Sequence, residues 1–201
     1  MRPVIHCPFV NTIADRYRAR SDAFERKVAA VRPEQWSNQS PCADWKARDV
    51  VGHIVDMHGV MLAPLGRGLS PAPSVAEDPL AAFVAARADV AAVLADPDLA
   101  GTEFEAPFVG RITVEQHIDQ VVSADLVIHG WDLARATGQD DVIDPDEVER
   151  GLQDWERAVQ TIGLEILRMP GVYGPEVKVP GEASSQERLL GLLGRSPLNK
   201  G

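Results

Sequence analysis

The chain has 201 residues, a length at which one domain with a sizeable core is the expectation. Thirty acidic against twenty basic residues leave a formal charge of −10, which disfavours a nucleic-acid surface because neutralising phosphates needs a surplus of Lys and Arg. Hydrophobic residues at 45% exclude a disordered chain, the two cysteines Cys7 and Cys42 cannot build a disulfide framework, and no apolar run approaches the roughly 18 residues of a membrane span. Pro3, His6 and Pro8 break the Met1–Val10 stretch too often for a signal segment, so a single cytoplasmic domain over residues 1–201 is expected.

Long helical patterns alternate with Pro/Gly loops. Asn11 to Val31 carries Ile13, Tyr17, Phe24 and Val28 at helical spacing and stops before Pro33. Asp44 is a good N-cap for a helix from Trp45 to about Leu62, ended by Pro64. A loop from Gly66 to Pro79 precedes an Ala-rich helix, Leu80 to Leu94, and Gly101 to Arg111 reads as loop or short strand. Thr113 caps a long helix to about Thr137, with Gly138 as its stop. Asp144-Pro145 opens another that reaches Met169, and Ser185 to Leu193 forms a last short one. Long helices with few β signals predict an all-α bundle.

The Thr113–Thr137 pattern is unusual for a core-facing helix. At about 100° per residue from Val114, Ile128, Val121, Ile118, Val122, Leu133 and Leu126 span roughly −40° to +120°. Asp132, Asp125 and His129 fall inside that arc, near 0°, near 20° and near 60°, about where a core helix should be apolar. Ser123, Gln116 and Gln120 lie opposite, as a solvated face should. Burying a carboxylate costs several kcal/mol unless something pairs with it. Asp125 and His129 form either a self-satisfying i,i+4 pair or two metal ligands on one helical face, and Asp132 would pair with an Arg such as Arg48 or Arg135.

A metal needs a third ligand. His53 and His58 are about 140° apart on their helix and cannot both reach one ion, and periodicity does not choose between them. His117 lies about 18 Å from His129 along the axis and is excluded. Cys42, just before a helix, has no sequence-adjacent base and reads as inert rather than nucleophilic. Trp45 and Trp131 read as packing residues able to line a pocket. The glycines form no phosphate loop, and no nucleophile elbow is present.

Two segments carry a family resemblance. SPCADWKARDVVGHIVDM, from Ser40 to Met57, resembles the Trp-then-His helix of the DinB-like superfamily in its actinobacterial mycothiol-dependent maleylpyruvate isomerase branch. ADLVIHGWDLARATG, from Ala124 to Gly138, resembles that branch's second metal helix, and the tail from Tyr173 to Pro197 is similar to metal-binding members. The resemblance implies a DinB-like four-helix bundle with a short extra C-terminal segment, lacking the isomerase's separate C-terminal domain. It implies a divalent metal held by His53, Asp125 and His129, with Asp125 standing where Glu or His is usual.

Two imidazoles and one carboxylate leave coordination positions open, and zinc foremost, or nickel or iron, would accept them. The family implies that a low-molecular-weight thiol of the mycothiol type coordinates the metal as thiolate and adds to a small electrophile, as in a transferase or isomerase. Asp132 would then orient a ligand or bond to the neighbouring helix. The alternative is a non-catalytic metal-binding sensor or interaction protein, such as a bundle that forms a homodimer.

Overall fold

The computed structural model describes residues 12–42, 45–169 and 172–197. The reading of His6 and Cys7 and the expected Asp44 cap fall outside them. Helix α1 (Ile13–Ala29) starts at Thr12, whose hydroxyl accepts from the Asp15 N–H at 3.1 Å. It buries Tyr17, Phe24 and Val28. After a 3₁₀ turn at Pro33–Ser37, α2 (Ala47–Leu62) opens with the Asp49 carboxylate accepting the Lys46 N–H at 2.9 Å. Helix α3 (Pro79–Ala95) is capped by Asp78, which accepts from the Ala81 N–H at 2.9 Å, and α4 (Pro97–Ala100) is a single turn. The segment read as loop or short strand is a hairpin: β1 (Glu103–Ala106) pairs antiparallel with β2 (Gly110–Thr113), placing Glu103 opposite Thr113 and Ala106 opposite Gly110.

The helix expected from Thr113 to Thr137 is two helices, α5 (Val114–Gln120) and α6 (Val122–Thr137). Val121 between them leaves helical geometry at φ −111° and ψ −90°. It is β-branched, as is Val122, which slightly lowers helix propensity, although Val50-Val51 sit within an unbroken α2. A helical wheel run through that break loses its phase. Ser123, expected on the solvated face, is fully buried and accepts from Arg20 Nη1 at 3.0 Å. Likewise the helix expected to reach Met169 ends early. Helix α7 (Pro145–Thr161) stops before Gly163, whose φ of 93° suits glycine, and a separate turn α8 (Leu164–Leu167) follows. Helix α9 (Ser185–Leu192) begins with a reciprocal Ser184–Glu187 capping box.

Helices α1, α2, α3 and α6 form the four-helix bundle: α6 packs on α1 and α2, and α3 packs on the same two. Its core includes Tyr17, Phe24, Val50, Ile54, Phe83 and Leu133. A second apolar cluster joins Trp131 of α6 to Val148 and Trp155 of α7 and to Leu189 and Leu190 of α9. Helix α6 is therefore a partition with a core on each side, which is why its apolar arc is so wide. Among the described residues no helix is long and apolar enough to cross a membrane.

Candidate metal centre

Helices α2 and α6 face each other in the bundle and bring three polar side chains together. His53 comes from α2. Asp125 and His129, one turn apart, come from the same side of α6. Each offers one ligand atom, and these atoms all lie within 4.8 Å of one another. His53 Nε2 is 3.4 Å from Asp125 Oδ2, and the two imidazole centroids are 4.7 Å apart. The side chains of His53 and Asp125 are 27% and 25% exposed, so the cluster opens to solvent on one side while His129 is buried. Trp45 packs over the pair, 4.8 Å from the His53 ring and 5.5 Å from the His129 ring.

The fully buried Asp132 orients His129. Its Oδ2 accepts from His129 Nδ1 at 2.9 Å and from Arg195 Nη2 at 2.9 Å. Burial pushes the Asp132 carboxyl up, but the His129 bond and the Arg195 charge outweigh it and hold it below the usual carboxylate range. An ionised carboxylate only accepts, so Nδ1 of His129 carries the proton and a neutral ring keeps its lone pair on Nε2. Asp125 and His129 are thus not a mutually satisfied pair: His129 bonds to Asp132, and Asp125 approaches His53. The cation that balances Asp132 is Arg195, not Arg48 or Arg135. Arg48 donates to the Ala76 carbonyl, and Arg135 pairs with Asp141.

Among the described residues, the other two histidines, His58 and His117, serve packing. His58 is fully buried, its Nδ1 donating to the Ile54 carbonyl at 2.6 Å and its Nε2 lying 2.9 Å from the Tyr17 hydroxyl. Burial lowers its pKa to about 4. His117 stacks edge-on against Phe104 at 5.2 Å. Burial pushes the Cys42 thiol up, against the pull of the nearby Arg195 charge, the reverse of an activated nucleophile. Burial likewise raises the Tyr173 hydroxyl to about 12, with the Asp125 charge adding to it. Trp131 packs away from the centre and lines a cavity of about 750 Å³ with Arg135, Ile143, Leu152 and Leu190, a space that includes none of the three clustered residues.

An all-α bundle with two imidazoles and a carboxylate converging from facing helices has the donor chemistry of a three-ligand metal site. The chain belongs to the family described as mycothiol maleylpyruvate isomerase N-terminal domain, which matches residues 17–134 and so spans His53, Asp125 and His129. Two uncharacterized proteins of Mycobacterium tuberculosis, MT0763 of strain CDC 1551 and Rv0738 of strain H37Rv, are each 28% identical over 181 residues, covering 90% of this chain and 96% of theirs. No solved structure matches significantly.

Proposed function

We propose that His53, Asp125 and His129 hold one divalent metal, zinc in the first place with nickel or iron as acceptable substitutes, and that the protein is a thiol-dependent transferase or isomerase. The observation that carries this reading is the cluster itself: three ligand atoms from two helices within 4.8 Å, with a second carboxylate buried behind one of them. The donor set fits the metal. Two neutral nitrogens and one carboxylate oxygen suit zinc and its neighbours, and three protein ligands leave positions for an exogenous group. When bound, such an ion lowers the pKa of a coordinated thiol and so supplies a thiolate at neutral pH.

The chain's own residues prepare the centre. Asp132 accepts from His129 Nδ1, so the neutral ring presents its lone pair on Nε2. Trp45 shields the two imidazoles on one side and raises the strength of every electrostatic interaction beneath it. The partial exposure of His53 and Asp125 provides the approach for a low-molecular-weight thiol of the mycothiol type and then a small electrophile. A cytoplasmic location goes with this reading, because low-molecular-weight thiols are kept reduced there.

The test measures metal per chain by elemental analysis on untagged protein, then thiol binding to the loaded form. About one zinc, nickel or iron per chain and a thiol-dependent shift in the Co²⁺-substituted absorption spectrum are expected. Metal without any thiol response would favour the non-catalytic sensor. No metal after incubation with excess divalent ions would remove both readings.

A further inference from the structure

The family match ends at residue 134, yet the interactions around His129 do not. Arg195 is 8% exposed, and its guanidinium is fixed at three points. Nη2 donates to Asp132 Oδ2 at 2.9 Å, Nε lies 3.4 Å from Oδ1, and Nη1 donates to the Leu193 carbonyl at 2.8 Å. The backbone that carries it is docked with equal closeness. The Arg195 N–H donates to the Leu190 carbonyl at 2.9 Å, and Val177 N–H donates to the Gly191 carbonyl at 2.9 Å. A Cβ on Gly191 would meet the Val177 carbonyl oxygen at 2.5 Å, and one on Gly194, where φ is 79°, would come within 3.0 Å of Gly174 Cα. The segment therefore sits where only glycine permits it.

A lone i,i+3 contact between His129 and Asp132 leaves the carboxylate free to turn about χ2, because that torsion is broad. A guanidinium fork across both oxygens sets the plane of the carboxylate, and with it the direction from which Nδ1 of His129 is held. We propose that Arg195 is a positioning residue of the metal centre: acting through Asp132, it fixes the His129 proton on Nδ1 and leaves Nε2 as the ligand atom beside His53 and Asp125. The C-terminal segment is then part of the centre, although it lies outside the matched region. This inference rests on the metal-binding reading above.

The experiment titrates the full-length metal-free chain with Co²⁺ and follows affinity and the visible ligand-field bands, with helicity checked by circular dichroism. Arg195→Met is expected to weaken Co²⁺ binding 10- to 100-fold, the range of such supporting contacts, and to shift the bands. Arg195→Lys keeps the buried counter-charge and loses the fork, so it should fall between Arg195→Met and wild type. If Arg195→Met does not fold, Arg195→Lys alone decides. Affinity within twofold of wild type with unchanged bands, in whichever variant is folded, overturns the role of Arg195. If wild type binds Co²⁺ and His129→Ala does not, that failure is confined to Arg195. If wild type takes up no Co²⁺, the metal reading itself fails.

Discussion

His53 Nε2 and Asp125 Oδ2 approach to 3.4 Å across the contact between α2 and α6, and His129 stands within reach of both. A bound cation would replace this weak contact with two coordinate bonds, so each of the three side chains should be needed for binding. His53→Ala and His129→Ala are expected to abolish stoichiometric metal, Asp125→Ala to weaken it severely, and His58→Ala and His117→Ala to leave it intact. Elemental analysis after gel filtration reads the result. Retained metal in His129→Ala would reject the assignment.

His58 makes a prediction about stability rather than binding. Its ring is buried against Phe83, with both nitrogens engaged, and burial lowers its folded pKa to about 4 from the ordinary histidine value of 6.5. An unfolded chain takes up that proton near pH 6.5, while the folded chain resists it until about pH 4. Between those values the unfolded state binds more protons, so stability is full above pH 6.5 and falls as the pH drops. The loss attributable to this one group amounts to about 3 kcal/mol at pH 4. Urea denaturation between pH 7 and pH 4 should show that slope in wild type and a smaller one in His58→Gln. Equal slopes would remove His58 as the cause.

How far the residues alone reached depended on the distance over which a pattern acts. Helical periodicity outlines α1, α2 and α3, runs α5 and α6 together as one helix, and puts Asp125, His129 and Asp132 on one apolar arc, because spacing along one helix is a local property. Periodicity could not choose His53 over His58: both border the same arc, and only the resemblance separated them. The break at Val121 was invisible because apolar residues continue through it, and that cost the placement of Ser123. Arg195 was missed for a different reason. A buried carboxylate demands a cation, but nothing in a sequence says that the partner of Asp132 lies 63 positions downstream.

Arg20 ties the bundle to the C-terminal layer. Its Nη1 donates to the buried Ser123 hydroxyl at 3.0 Å, and Nη2 meets Glu147 at 2.5 Å. Arg20 is buried and Glu147 is a quarter exposed, so the charge left behind by truncation would be only partly rescued by water. Arg20→Met should therefore destabilise by about 2 kcal/mol, less than a fully buried pair would. Glu147→Gln, which keeps an acceptor, should cost less. Equilibrium denaturation of both variants measures the difference. The order of the two is the test.

Cys42 is placed close enough to Arg195 and Asp132 to feel both charges, and burial still dominates and raises its thiol pKa. A thiol raised in this way holds less thiolate at neutral pH than a free cysteine and attacks electrophiles more slowly. The Cys42 backbone has a structural task instead: its carbonyl accepts from the Trp45 N–H at 3.1 Å, which helps hold the indole over the His53 and His129 rings. In a Cys7→Ser background, iodoacetamide should modify Cys42 at pH 8 more slowly than it modifies free cysteine. Cys42→Ser should keep both metal content and any thiol-dependent activity, because the carbonyl is unchanged. Loss of activity in Cys42→Ser with metal retained would make this thiol a participant in the chemistry and reject the inert reading.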